Sequence, residues 1–274
     1  MKSLVRWSTT LGLVCTTLIG SLFSGNLRVM ALTEEQVISA LRTVPVFMIA
    51  QANGIPISQC VAPETGQPGS CDDKKTVVVT PLFMSPQDAQ TALNQLKTSQ
   101  PEQAKNLQIM PRSLGFIYKQ LEAANKTQEQ KIAVDFLPQQ QQVNAALTLL
   151  QQGGQKVDKF PGVPLFVAVA TVGDKKIYLP GKNGDREVIP LFFEKEELQN
   201  NLQQITKDHP EIASKVSIDV ITLEDVIAAL KNDNDPVLEK FFLQPSQESV
   251  QFIQSHPQTP PANSPSNQPP TPRR

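Results

Sequence analysis

Apolar positions along this chain form strand-like runs and helix-spaced stripes, and their order is written twice. Ile189-Pro190-Leu191-Phe192-Phe193 is a continuous apolar run, followed at Leu198, Leu202 and Ile205 by the spacing of one helix face. Thr80-Pro81-Leu82-Phe83-Met84 stands 109 positions earlier, and Ala89, Leu93 and Leu96 repeat the stripe. At the same offset Leu114, Ile117, Tyr118 and Leu121 meet Leu223, Val226, Ile227 and Leu230. Val44-Pro45-Val46-Phe47 matches Val163-Pro164-Leu165-Phe166 at an offset of 119, and Val37, Ala40 and Leu41 match Val143, Ala146 and Leu147 at 106. A shared order of motifs over roughly a hundred residues indicates an internal duplication.

The punctuation between these runs predicts the elements. Thr33-Glu34-Glu35-Gln36 is a capping box that opens a helix to about Arg42. Val44 to Gln51 reads as a strand, Asn53-Gly54 as a hairpin turn, Ile55 to Cys60 and Lys75 to Met84 as the next two strands. Ser85-Pro86 starts a helix, Leu107 to Met110 is a short strand, and Ser113 caps a further helix. The second half repeats this with strands at Val163 to Val172, Lys176 to Leu179, Arg186 to Phe193 and Val216 to Val220, and with Thr222 as the cap. Ile132 to Leu137 is a strand between the halves, and Gln139 to Leu150 is the helix that opens the second. Phe242 to Ile253 echoes Phe136 to Ala146, so the unit starts a third time and stops after its helix. The expected fold class is α+β and internally duplicated, with helix, three-strand meander, helix, strand and helix in each half of an approximately two-fold symmetric body. The expected division is 1–31 signal peptide, 32–137 first half, 138–254 second half and 255–274 tail.

The ends differ in composition from the body. Lys2 and Arg6 precede the short apolar run Leu11 to Phe23, and Val29-Met30-Ala31 suits a signal peptidase. An export signal is expected, with an uncleaved anchor as the alternative; about 20 apolar residues would be needed for a comfortable span. From His256 to Arg274 the chain is Pro, Ser, Asn, Gln and Thr with almost nothing to bury, so a disordered tail is expected.

Charge adds exclusions. The 25 basic and 26 acidic residues leave a net charge of −1, and no Lys/Arg run marks a nucleic-acid or anionic-membrane footprint. Nucleic-acid binding and membrane insertion after signal removal are therefore not expected. Cys15 leaves with the signal, and Cys60 and Cys71 remain as an even pair. In an oxidising compartment they would close a loop worth up to about 3 kcal/mol in the chain-entropy model. The alternative is two unpaired thiols. The loop is also where the first half exceeds the second by ten residues, so the pair would staple an insertion.

No catalytic, metal-binding or cofactor-binding constellation is expected. His209 and His256 are the two histidines, one before Pro210 in a loop and one at the start of the tail, and no phosphate-cradling Gly loop is present. Gly162-Val163-Pro164 has the look of a thioredoxin-like strand start, but Cys60 and Cys71 are too far apart for a Cys-x-x-Cys centre.

Val44-Pro45-Val46-Phe47, Gly162-Val163-Pro164-Leu165-Phe166, Pro190-Leu191-Phe192-Phe193 with Glu196-Glu197-Leu198, and Phe136-Leu137-Pro138 with Val143 resemble the twenty-two-kilodalton subunit family of the chloroplast inner-envelope translocon (Tic). The resemblance covers Leu32 to about Ile253; the Cys60–Cys71 insertion and the Pro-rich tail stand outside it. It implies a soluble protein of the space between two envelope membranes, the periplasm in a cyanobacterium. It further implies a two-winged fold with apolar pockets and a role in protein transport and outer-membrane biogenesis. Partners would be unfolded or transiting polypeptides and outer-membrane assembly or translocation channels, bound in a chaperone-like way. The other class kept open is a scaffold or tether for folded partners.

The strands themselves point to a surface. Alternation puts Phe47 and Ile49 on one side of their strand, Phe166 and Ala168 on the matching side of theirs, and Phe83 and Phe192 in equivalent places on the third strands. Either helices divide between the two faces of each sheet, or one face stays partly open as a groove for an extended apolar segment.

Overall fold

The computed structural model describes residues 32–256 apart from 74, 128–129, 174 and 211–212. The expected signal peptide and the tail from residue 257 lie outside the described residues. The first half runs α1 (Glu34–Leu41), β1 (Pro45–Gln51), β2 (Gln59–Val61), β3 (Val77–Phe83), α2 (Pro86–Ser99), α3 (Pro101–Ala104), β4 (Leu107–Ser113), α4 (Leu114–Thr127) and β5 (Ile132–Leu137). The second runs α5 (Gln140–Gln152), β6 (Pro164–Val172), β7 (Lys175–Tyr178), β8 (Gly181–Asn183), β9 (Arg186–Phe192), α6 (Lys195–Asp208), β10 (Val216–Thr222), α7 (Leu223–Asn232), a 3-10 turn at Pro236–Lys240, β11 (Phe241–Gln244) and α8 (Gln247–Ser255).

The caps that begin the helices are those read from the sequence. Thr33 and Gln36 form the reciprocal box, Ser85 accepts from Gln87 and Asp88 amides, and Thr222 accepts from the Asp225 amide. Each satisfies donors that a first helical turn leaves unpaired, typically worth about 1 kcal/mol.

Two sheets share one pairing scheme. In the first, β1 lies antiparallel between β3 and β4, and β5 adds parallel to β3. In the second, β6 lies antiparallel between β9 and β10, and β11 adds parallel to β9. Phe47 faces Phe83 across one pair and Phe166 faces Phe192 across the other.

Strand alternation then sorts the core. Val46, Met48 and Ala50 of β1, with Leu165, Val167 and Val169 of β6, enter one central cluster with Val37 and Leu41 of α1, Leu114 of α4, and Leu223, Val226 and Leu230 of α7. The alternate residues turn outward, where Phe166, Ala168 and Phe192 form a second cluster with Ala146 of α5 and Leu198 of α6. Helices thus stand on both faces of the sheets, the first of the two expected alternatives.

The outer helices are exchanged between halves. β5 pairs in the first sheet, but the helix after it, α5, packs on β6 and β10 of the second. β11 pairs in the second sheet, but α8 after it packs beside α2, which covers β1, β3 and β4 of the first. The boundary expected at 137/138 therefore falls on a crossover. The likeness of Val37, Ala40 and Leu41 to Val143, Ala146 and Leu147 is not a likeness of place: α1 packs on α4, α7 and β11, whereas α5 lies on an outer face.

Several element boundaries differ from expectation. The strand expected over Ile55 to Cys60 shrinks to Gln59–Val61, because Pro56 lacks the N–H to donate and makes only an isolated bridge to Ala50. The strand expected to end at Met110 runs through Pro111 to Ser113, since β4 is an edge strand where a proline needs no outward partner. The parallel strand β11 is an addition of only four residues.

Candidate functional site: two covered aromatic faces

The residues expected to line apolar grooves come together in pairs. On the first sheet Phe47 is fully buried, Ile49 is buried and Phe83, its ring-bearing neighbour on β3, is half-buried. On the second, Phe166 is fully buried and Phe192 nearly so. Cross-strand aromatic pairs of this kind add to sheet stability beyond the area they bury.

Each pair lies beneath two helices. Over Phe166 and Phe192 stand α5, whose Ala146 is fully buried, and α6, whose Leu198 is buried, with Phe160 filling the margin. Over the first sheet stand α2, with Ala89 and Leu93 buried, and α8. The ring of Phe252 in α8 meets Phe47 edge-on, with centroids 5.3 Å apart and planes at 84°. On the far side of Phe252, His256 stacks at 4.2 Å. Neither aromatic face is open to an extended segment while its helices are in place.

Where the two exchanged connections cross, polar side chains tie each covering helix to its neighbour. Glu248 of α8 accepts from the Ser85 hydroxyl at 3.4 Å and from Gln139 Nε2 at 3.1 Å. Gln142 of α5 donates to Glu196 at 2.8 Å and accepts from the Lys195 amide at 3.1 Å. So α8 meets the N-terminus of α2, and α5 that of α6. The Gln247 amide also donates to Glu197 at 2.9 Å. A cleft at this crossing, lined by Met84, Gln139, Gln142, Val163, Phe193 and Ser246 among others, has room for about one water molecule, not for a ligand.

The crossing concentrates negative charge. Burial pushes the Glu194 carboxyl above its ordinary 4.5, and Glu197, Glu248 and Glu196 push it further, against a hydrogen bond from Ser246. Burial also raises Glu224, with Asp225 and Asp135 adding, while its own backbone and the Val163 amide pull it back. For Glu196, burial acts upward, but the Gln142 and Gln141 donors outweigh it and hold the group below 4.5. No group of three or more potential metal ligands occurs among the described residues.

Cys60 and Cys71 form a disulfide. It sits at the base of the first-half insertion, where Gly69 donates back to the Cys60 carbonyl and Val61 bridges Pro68. No helix among the described residues is long and apolar enough to cross a membrane.

Residues 11–255 match the model of the Tic22-like family. The chain belongs to the Tic22-like family. Among solved structures it is similar to Anabaena Tic22, a protein-transport protein, with 31% identity and a TM-score of 0.70 over 84% of this chain and 100% of that one. It shares its fold with Tic22 from Plasmodium falciparum, at 20% identity and a TM-score of 0.57 over 80% of this chain and 96% of that one. No curated protein sequence matched.

Sequence reasoning found the aromatic faces but not what covers them. Ser85, Gln139, Gln142, Glu248 and Phe252 went unremarked as parts of the site. The signal was present in the echo of Phe136 to Ala146 by Phe242 to Ile253. An offset of 107 places Pro138 on Pro245 and Gln140, the start of α5, on Gln247, the start of α8.

Proposed function

We propose that this Tic22 family member is an exported, non-catalytic transport factor that holds apolar segments of polypeptides in transit through the periplasm, in a chaperone-like way. Its partners are unfolded or transiting polypeptides and the assembly or translocation channels of the outer membrane. The binding surfaces are the faces built on Phe47, Ile49 and Phe83 and on Phe166 and Phe192. The observation that carries this reading is the pair of aromatic faces, each lidded by a helix borrowed from the other half, in a chain akin to a transport protein. A disulfide in the folded chain supports export to an oxidising compartment, as does the short apolar run before Leu32.

Aggregation of a chemically unfolded client, followed by light scattering, tests it. Suppression at near-stoichiometric ratios without nucleotide or metal is expected. Binding to a folded partner with no effect on unfolded chains would instead make the protein a scaffold or tether.

A further inference from the structure

The two covering helices are held unequally. α5 is fixed at both ends, by β5 before it and β6 after it, and its contact residue Ala146 is small and wholly enclosed. α8 has nine residues, follows Pro245-Ser246, and among the described residues no further element holds its far end. A helix this short is not stable by itself and depends on what it packs against. Its packing is partial: Val250 and Ile253 are 36% and 39% exposed. Besides the Gln247 amide on Glu197 and the buried Ser249, two side chains four positions apart on one helix face anchor it, the Phe252 ring on Phe47 and the Glu248 carboxylate on Ser85 and Gln139.

That geometry is a ligand already seated. Ser85 sits at the N-terminus of α2, where its hydroxyl donates to the carboxylate and the helix dipole favours one, and the Phe47 ring meets the aromatic one helical turn further along α8. We propose that the outer face of the first sheet is a recognition surface for an amphipathic helix of a transiting polypeptide. This helix displaces α8 and carries an acid followed four residues later by an aromatic. The proposal rests on the reading that the protein holds polypeptide segments, and narrows it to one face and one conformation. The Gln247 amide on Glu197, at 2.9 Å, is one more contact that a displacing helix has to replace.

The probe is a labelled peptide with the sequence of Ser246 to Ser255, titrated into the full chain by fluorescence anisotropy. The intact chain should bind it weakly, because the face is occupied in most molecules and apparent affinity scales with the unoccupied fraction. Phe252→Ala in the chain loosens α8 and should tighten peptide binding about tenfold or more. Adding Phe47→Ala to that variant should abolish the gain; should that double variant not fold, Gln139→Ala in the same background is read the same way. A peptide with Ala at the Phe252 position should not bind, nor should one with Pro at the Val250 position, which cannot form the helix. Equal binding by the chain and by Phe252→Ala overturns the proposal, as does undiminished binding of the proline peptide. If aggregation of an unfolded client is still suppressed in either case, only this inference falls. If suppression also fails, the function proposed above falls with it.

Discussion

The first and second sheets bury the same aromatic pair in the same register, Phe47 against Phe83 and Phe166 against Phe192, yet close over it in different ways. The second is sealed by a helix with sheet strands before and after it in the chain, an enclosed alanine, and Phe160 at the rim. The first is sealed by a short helix after which no further element follows among the described residues, and whose aromatic ring plugs the face. Strand pairing is thus not what separates the two faces. The difference lies in the cost of lifting the cover, which depends on tether and packing rather than on how apolar the face is.

Phe166→Ala should cost about 3–5 kcal/mol, the usual penalty for emptying an enclosed phenylalanine site. Phe47→Ala should cost clearly less, because a singly tethered α8 can settle into the space and the penalty falls as a site collapses. Denaturant unfolding of both variants checks the order, and equal losses would mean that α8 is as fixed as α5.

A second contrast lies at the centre. The N-terminus of α4 is Leu114-Gly115, and a Cβ on Gly115 would run into the Ile38 carbonyl and lie 3.0 Å from the Arg42 amide nitrogen. α1 therefore packs backbone to backbone on α4. At the matching position of α7 stands Glu224, whose carboxylate instead receives the Val163 amide at 3.0 Å. Gly115→Ala should destabilise by about 1–3 kcal/mol, the range for overpacking, with a lowered melting temperature. A neutral result would show that α1 adjusts freely.

The halves should also differ toward acid. Where the first half has Ser85 and Gly115, the second has Glu194 and Glu224, both raised by burial above 4.5. A carboxyl with a raised folded pKa favours the folded state when protonated, and that contribution is lost as pH rises through the folded value. Between neutral pH and about 4.5, acidification should therefore stabilise the protein. Below that range Glu122, held low first by the Lys231 hydrogen bond, acts in the opposite sense. Melting temperatures at pH 7.5 and 5.5 test the sign, and Glu194→Gln with Glu224→Gln should flatten the difference. Glu196, Glu197, Glu248 and Ser246 face the first group, Asp135, Asp225 and the Val163 amide the second.

Much of this was legible in the residues and some was not, for physical reasons. Alternation in Val46 to Ala50 and Leu165 to Val169 told correctly which side chains share a face, because a strand's period admits one answer. Capping at Thr33, Ser85 and Thr222 was equally local. Helix periodicity in Val37 and Leu41, or in Val143 and Ala146, shows that a stripe is buried but not against what. That is why α1 and α5 look like twins in sequence while α5 and α8 play matching parts in space. The same gap hid Phe252 and Glu248: the echo of Phe136 to Ala146 by Phe242 to Ile253 marks α8 as a counterpart of α5, but not the crossover that sets it against the first sheet. Pro111 and Pro56 misled in opposite directions, one tolerated on an edge and one ending a ladder.

Native-state amide hydrogen exchange, comparing α8 with α5 in the full chain, tests most directly whether the first face is a removable-cover site. The account predicts that amides of Val250 to Ser255 exchange well before those of Val143 to Leu149, and that an unfolded client accelerates the former while leaving the latter unchanged. Equal protection of the two helices, unaltered by client, would contradict it.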